Sequence, residues 1–160
     1  GLVELSREAI EDEVVAAMEE RYRTAGAPRI EGAVEAVRRA GEELPLAVAS
    51  SAPMSIIRAA IGSLGVAGLF GAIVSSDEVP TGKPAPDVYL LAARRLGVDP
   101  TTCLVVEDSL NGVLAGRAAG MVVALVPNRA IPPAPGAREA ASIVLDRIDQ
   151  VDPRRLAGLV

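Results

Sequence analysis

The sequence predicts an α/β fold in which helices cover a parallel β-sheet. From about residue 44 onward, short apolar runs alternate with helical segments, which is the pattern of repeated βαβ units. Half of the 160 residues are hydrophobic but only 2% are aromatic, so Ala, Val, Leu and Ile must build the core. Such a core suits strands that are buried on both faces of a parallel sheet. The length fits one domain of ordinary size.

Two helices are expected before the first strand. Residues 6–24 carry apolar side chains at three- and four-residue spacing, opposite a face rich in Glu and Arg. The apolar positions are Ile10, Val14, Ala17, Met18 and Tyr22. Gly26 and Pro28 interrupt this pattern. A second helix over residues 31–40 ends at Gly41, as a helix with a glycine C-cap would.

The alternating part of the chain then supplies the sheet. Strands are predicted at residues 44–50, 72–76, 103–107, 121–126 and 142–145, and helices at residues 54–64, 87–96 and 110–119. Right-handed crossovers should join these strands in parallel. The proline-rich residues 127–136 are expected to form a surface loop, because a strand follows them.

Charge and composition exclude several classes of function. A net charge of -5 argues against nucleic-acid binding, where a basic surface supplies most of the affinity. No apolar run reaches the ~18 residues that a membrane span needs, and no signal peptide is recognised, so we expect a cytoplasmic protein. Cys103 is the only cysteine, so it cannot form an internal disulfide, and we expect it to be a small buried residue.

Polar residues follow the predicted strands where ligands bind in this fold class, beyond the carboxyl ends of the strands. Ser50 and Ser51 follow the first strand, and the loop that contains Lys83 follows the second. The third strand ends in the adjacent acids Glu107 and Asp108. Asn128 follows the fourth strand. We expect these side chains to converge at one edge of the sheet.

The acid pair has two interpretations. Adjacent carboxylates repel each other by about 4 kcal/mol at ~4 Å and an effective dielectric of 20, and a bound Mg²⁺ would remove that penalty. Alternatively, Asp108 or Ser109 caps the following helix while Glu107 points to solvent. The spacing does not separate these alternatives, and both can hold at once.

Lys83 and Ser50 also have two interpretations each. Lys83 is either a solvated loop lysine or an ammonium that Pro84 and Pro86 aim at a phosphoryl group. It does not belong to a Walker loop, because Pro84 stands where Ser or Thr would bind Mg²⁺. Ser50 is either a cap or turn residue, or a hydroxyl donor to phosphate. It is not a hydrolase nucleophile, because the chain has neither a G-x-S-x-G motif nor a histidine.

Taken together, Ser50 after a strand, the segment GKPAPDVYLLAARRLGVDP and the segment CLVVEDSLNGVLAGRAAGM resemble the haloacid dehalogenase (HAD) superfamily. The resemblance is to its branch of sugar phosphatases and β-phosphoglucomutase-like enzymes, and it covers nearly the whole chain. It implies a Rossmann-like core with helices on both faces of the sheet. It also implies that Ser50, Ser51 and Lys83 bind the substrate phosphate, and that Asp108 with Glu107 holds Mg²⁺.

The sequence departs from this family in one respect, because no Asp-x-Asp occurs in it. In the family, the first Asp of that motif is the nucleophile and the second is the general acid/base. We therefore expect residues 1–28 to be a partial helical cap and residues 29–160 a core that lacks its central first strand, as in a fragment of a longer protein. This chain alone should be inactive.

Three functions remain open at this point. The parent protein is expected to be a Mg²⁺-dependent phosphatase that acts on small phosphorylated metabolites such as sugar phosphates, through an aspartyl-phosphate. A phosphomutase of the β-phosphoglucomutase type would share every motif seen here. A non-catalytic binding or regulatory domain that has lost its nucleophile is the third possibility. Oligomeric state cannot be inferred from these patterns.

Overall fold

The computed structural model describes residues 6–152 and residue 158, and it has the predicted alternation of strands and helices. The helices are α1 (Arg7–Ala25), α2 (Ala33–Gly41), α3 (Met54–Ser63), α4 (Asp87–Leu96), α5 (Leu110–Ala118) and the short α6 (Ala137–Ala140). The strands are β1 (Leu46–Ser50), β2 (Phe70–Ser75), β3 (Leu104–Glu107), β4 (Val122–Leu125) and β5 (Ile143–Val144). The prediction of an α/β fold with parallel strands is confirmed.

The strands form two parallel groups rather than one continuous sheet. β1 pairs with β2, and β4 pairs with both β3 and β5. Within the described residues, no ladder joins β1 to β3. Val106 of β3 is 40% exposed, although an apolar residue in a central parallel strand is normally buried. The edges of β1 and β3 therefore lack strand partners on the side where the two groups face each other.

The main core lies between α4, α5 and the strands. Val88, Val113, Val123 and Leu125 are fully buried in it. Gly116 lets α5 approach the sheet closely, because a Cβ there would lie 2.7 Å from a methyl group of Val123. Cys103, which we expected to be buried, is only half-buried and packs against the edge of this core.

The first helix lies against α3 and away from the main core. Ser6 caps it by accepting a hydrogen bond from the Ala9 N–H, and it ends before Gly26. Ile10 and Val14 stay about half exposed, so the apolar stripe that predicted this helix is only partly covered. The division into a cap over residues 1–28 and a core from residue 29 stays a prediction, and residues 1–5 and most of 153–160 lie outside the described residues. No helix in the described part of the chain has the length and apolar character to cross a membrane.

Candidate active site

A cleft of about 590 Å³ lies at the carboxyl ends of β1 and β3. Every residue that we predicted to bind phosphate or metal lines it; these are Ser50, Ser51, Lys83, Glu107 and Asp108. Ala49, residues 109–111 and residues 131–134 of the proline-rich loop complete the lining. Asn128 lies apart, beside a second cavity of about 370 Å³, where its side chain accepts hydrogen bonds from the Ala130 and Ile131 N–H groups.

Lys83, the only lysine of the chain, connects the two groups of strands. Its Nζ donates to the Ala49 carbonyl oxygen at 3.1 Å and to Glu107 Oε1 at 2.5 Å. Its side chain is only 9% exposed, so the interpretation of Lys83 as a solvated loop lysine is wrong. An ammonium has three N–H donors, and within the described residues only two of them have acceptors. The third remains available to a ligand in the cleft.

Glu107 accepts hydrogen bonds at both of its carboxylate oxygens. Oε1 accepts from Lys83 and from the Tyr89 hydroxyl, the latter at 2.5 Å. Oε2 accepts from the Asp108 N–H at 3.1 Å, the Ser109 hydroxyl at 3.0 Å and, more weakly, the Ser109 N–H at 3.4 Å. The side chain is 9% exposed, so the interpretation in which Glu107 points to solvent is wrong.

These contacts set the pKa values of Glu107 and Tyr89. Burial alone raises the pKa of the Glu107 carboxyl, but the charge of Lys83 and the hydrogen bonds from Lys83, Tyr89 and Ser109 outweigh it. The net result is a pKa below the ordinary value, so Glu107 is ionised at neutral pH. Burial and the nearby Glu107 charge raise the pKa of Tyr89, which therefore stays a neutral hydroxyl donor.

The first turn of α5 is shaped around the Glu107 carboxylate. Ser109 is the N-cap of this helix, and its hydroxyl accepts a hydrogen bond from the Gly112 N–H. The capping interpretation therefore holds for Ser109. A Cβ on Gly112 would overlap the carboxylate of Glu107, so only glycine leaves room for it there. The exposed N–H groups at this helix start also favour a negative charge.

Asp108 differs from its neighbour, because its side chain is exposed to the cleft. Among the described residues, its carboxylate has no hydrogen-bond donor, whereas Glu107 has several. That part of the chain also contains no cluster of three or more His, Cys, Asp or Glu residues arranged to hold a metal. Mg²⁺ nevertheless fits, because it is commonly bound through one or two carboxylates together with waters and phosphate oxygens. The roles of Asp108 and Glu107 as metal ligands stay predictions.

The loop after β1 is fixed by serines at the end of β2. Ser50 Oγ accepts a hydrogen bond from the Ala52 N–H at 3.1 Å, so Ser50 forms a turn and does not cap α3. The buried Ser75 donates to the Ala52 carbonyl oxygen at 2.8 Å, and Ser76 donates to that of Ser51 at 3.0 Å. The loop is therefore held in place before any ligand arrives.

Two residues of this site were not predicted from the sequence. Tyr89 lies on the apolar face of α4, where an aromatic side chain is normally core. Gly112 lies inside a helical pattern, where an isolated glycine is a weak signal. The low helix propensity of glycine was the only signal in the sequence, because a glycine inside a helix can indicate that a neighbouring group occupies the place of a side chain.

Comparison with known proteins supports the same family. The fructose-1-phosphate phosphatase YqaB of Escherichia coli (strain K12) is 47% identical over 77 residues, which are 48% of this chain and 41% of that protein. The bifunctional riboflavin kinase/FMN phosphatase of Arabidopsis thaliana is 49% identical over 86 residues, which are 53% of this chain and 23% of that protein. The matched regions thus span less than half of the length of these relatives.

A solved structure of a HAD family hydrolase from Deinococcus radiodurans R1, with bound phosphate and sodium, has the same fold. It superposes with a TM-score of 0.74 and 31% identity, covering 96% of this chain and 68% of that chain. The family model for haloacid dehalogenase-like hydrolases matches residues 2–120. The chain belongs to the haloacid dehalogenase-like hydrolase family.

Proposed function

We propose that this chain contributes the phosphate- and metal-binding residues of a Mg²⁺-dependent phosphatase that acts on small phosphorylated metabolites such as sugar phosphates. One observation carries the proposal. An ammonium held at two points, Lys83, lies in the same cleft as the unpaired carboxylate of Asp108. A fixed cation in the same cleft as an available metal ligand suits transfer of a phosphoryl group, because catalysis of that reaction is mostly positioning and charge stabilisation.

Asp108 would be the main ligand of the Mg²⁺, and Glu107, whose oxygens already accept hydrogen bonds, would be a weaker one. When bound, the ion would neutralise negative charge on the phosphoryl group and help to orient it. Lys83 would direct its third N–H at a phosphate oxygen, since its other two are engaged by the protein. Ser50 and the backbone N–H groups of its loop would donate to the remaining phosphate oxygens.

The nucleophile has to come from elsewhere. Among the described residues, Glu107 and Asp108 are the only carboxylates that line the cleft, and both are assigned to other roles. We propose that an additional strand ending in Asp-x-Asp lies between β1 and β3 in the whole protein. The support is that these strands present unpaired edges to each other and leave Val106 exposed. The first Asp would attack phosphorus and the second would move the proton of the leaving group.

The substrate class has independent support from the relatives. The two described above are a fructose-1-phosphate phosphatase and a protein with FMN phosphatase activity, and both of these substrates are small phosphate monoesters. A cleft of about 590 Å³ has room for a phosphorylated metabolite of that size.

The proposal is tested on the protein expressed from its whole open reading frame. Phosphate release from a panel of sugar phosphates should require Mg²⁺ and stop with EDTA. Asp108→Asn should weaken Mg²⁺ binding, measured by calorimetry, and lower turnover, with Glu107→Gln acting in the same direction less severely. Asp12→Asn in α1, at an exposed position, is the matched control and should change neither.

Three outcomes would contradict the proposal. Unchanged Mg²⁺ affinity and turnover in Asp108→Asn would remove its role as a ligand. Isomerisation of a sugar phosphate without net phosphate release would indicate a phosphomutase. Phosphate binding without turnover on any ester would indicate a non-catalytic domain.

A further inference from the structure

The buried ion pair of the site is supported from below by an aromatic residue. Tyr89 lies in the first turn of α4, six residues after Lys83, and is 7% exposed. Its ring lies under the Lys83 ammonium, with 4.6 Å between Nζ and the ring centroid. Its hydroxyl donates to Glu107 Oε1, the same oxygen that accepts from Lys83. Tyr89 thus contacts both members of the pair.

We propose that Tyr89 is a positioning residue for phosphoryl transfer, holding the Lys83 ammonium and the Glu107 carboxylate in one fixed arrangement. This rests on the function proposed above. Tyr89 is not a catalytic residue, because it does not line the cleft and touches the site only through Lys83 and Glu107.

The two contacts have different physical effects. The ring face attracts the ammonium, and such an interaction strengthens when the partners are withdrawn from water, as they are here. The hydroxyl holds the carboxylate at Oε1, the oxygen to which the α5 helix start does not donate. A lysine stem has four flexible carbons, so the direction of the third N–H depends on how firmly Glu107 is held and on the ring beneath the ammonium.

The geometry also indicates why tyrosine serves here better than phenylalanine. Oε1 of Glu107 accepts hydrogen bonds from both Lys83 and Tyr89. The carboxylate therefore stays hydrogen-bonded when Lys83 also donates to a phosphate. With phenylalanine, Oε1 would depend on Lys83 alone. The carboxylate would then be held less firmly, and the direction of the ammonium that it accepts from would vary with it.

The first test does not depend on activity. Because Lys83 is the only lysine, lysine labelled with ¹⁵N and ¹³C gives one side-chain Nζ signal from this chain. In the wild type we expect slow exchange of the Nζ protons and an upfield shift of the ε-protons caused by the ring. Tyr89→Phe should keep the upfield shift but speed the exchange by about tenfold, the lower end of what a lost hydrogen bond to a charged group is worth, because Glu107, the acceptor for Lys83, loses the hydroxyl that fixes it. Tyr22→Phe, which changes the other tyrosine of the chain, should alter neither signal.

The second test is kinetic and uses the whole protein. Tyr89→Phe should lower kcat by about tenfold and leave KM within about twofold, because it disturbs orientation and removes no contact to substrate. Its melting temperature should stay close to that of the wild type. A purely structural role would instead lower the melting temperature and leave kcat per folded molecule unchanged.

The two tests separate this proposal from the function on which it rests. If Nζ exchange in Tyr89→Phe equals that of the wild type, the positioning role is wrong whatever the protein catalyses. If the NMR result is as expected but kcat does not fall in an active enzyme, Tyr89 holds the pair without assisting phosphoryl transfer, and the proposal is also wrong. If the wild type lacks phosphatase activity, the proposed function is wrong, and so is a role of Tyr89 in phosphoryl transfer. The NMR test would then still show whether Tyr89 holds Lys83 and Glu107 in place.

Discussion

Gly112→Ala should damage the site, although glycine has no side chain that could bind a ligand itself. The added methyl group would overlap the Glu107 carboxylate, so the carboxylate has to leave the start of α5. It would then lose the hydrogen bonds from Ser109 and the Asp108 N–H, together with its alignment to Lys83. The substitution therefore tests whether this crowding fixes Glu107.

The magnitude follows from what is lost. Separating the partners of a buried ion pair costs about 3–5 kcal/mol, and the better helix propensity of alanine returns up to about 1 kcal/mol. We expect the free energy of unfolding to fall by about 2–4 kcal/mol, a large share of the roughly 5–15 kcal/mol available to a domain. Urea unfolding followed by circular dichroism measures this change.

Two control variants separate the effect from helix propensity and from general overpacking. Gly62→Ala in α3 adds a methyl group that has no atom within 4 Å, so it should be neutral or stabilising by up to about 1 kcal/mol. Gly116→Ala presses α5 onto Val123 and should cost about 1–3 kcal/mol without altering the Lys83 Nζ signal.

A double-mutant cycle isolates the contact itself. Once Glu107→Ala has removed the carboxylate, Gly112→Ala should no longer destabilise the protein, because its methyl group has room. An equal cost of Gly112→Ala in both backgrounds, or no cost in the wild type, would refute the idea that Gly112 exists to accommodate Glu107.

Two further predictions concern charge at the site. Lys83→Ala in the whole protein should slow phosphoryl transfer by roughly 10²–10³-fold, or about 2.7–4 kcal/mol. Ser50→Ala should slow it less, because backbone N–H groups partly replace one hydroxyl. Steady-state kinetics of the two variants measure both effects, and equal losses of rate would contradict this order. Since the pKa of Glu107 is lowered in the folded state, its stabilising contribution is present above about pH 4.3, the ordinary value, and is lost as the pH falls through the folded pKa. The difference in unfolding free energy between wild type and Glu107→Gln should therefore shrink as the pH is lowered from about 6 to about 3, and a constant difference would show that Glu107 is not preferentially ionised in the fold.

The order of strands and helices was predictable because it depends on local patterns. Apolar runs and amphipathic spacing mark each element, and α4 has the predicted bounds. The boundaries were less certain where pairing extends a strand beyond its apolar run. β2 begins at Phe70 rather than residue 72, because Phe70 pairs with Leu46 across a strand irregularity that the sequence does not reveal.

The candidate site was predictable only in part, for a physical reason. The convergence of Ser50, Lys83 and Asp108 could be predicted, because ligands in this fold class bind beyond the carboxyl ends of the parallel strands. The pairing of Lys83 with Glu107 joins residues 24 positions apart and depends on how the loop after β2 folds back, which no local pattern describes. Tyr89 could not be predicted for a related reason. Its ring fits the apolar periodicity of the helix, and only the structure shows that its hydroxyl donates to Glu107.

Whether the site lacks only its nucleophile is tested by comparing two proteins. One is this chain alone, and the other is the same chain extended with cap helices and with an apolar strand that ends in Asp-x-Asp. Both proteins are assayed on one sugar phosphate, with Mg²⁺ and with EDTA. We expect no phosphate release by the chain alone and Mg²⁺-dependent release by the extended protein. The reason is that the site residues can hold a phosphate and a metal but cannot attack phosphorus; they are Ser50, Lys83, Glu107 and Asp108. Equal Mg²⁺-dependent release by the chain alone would contradict this expectation and would require a nucleophile among residues to which other roles are assigned here.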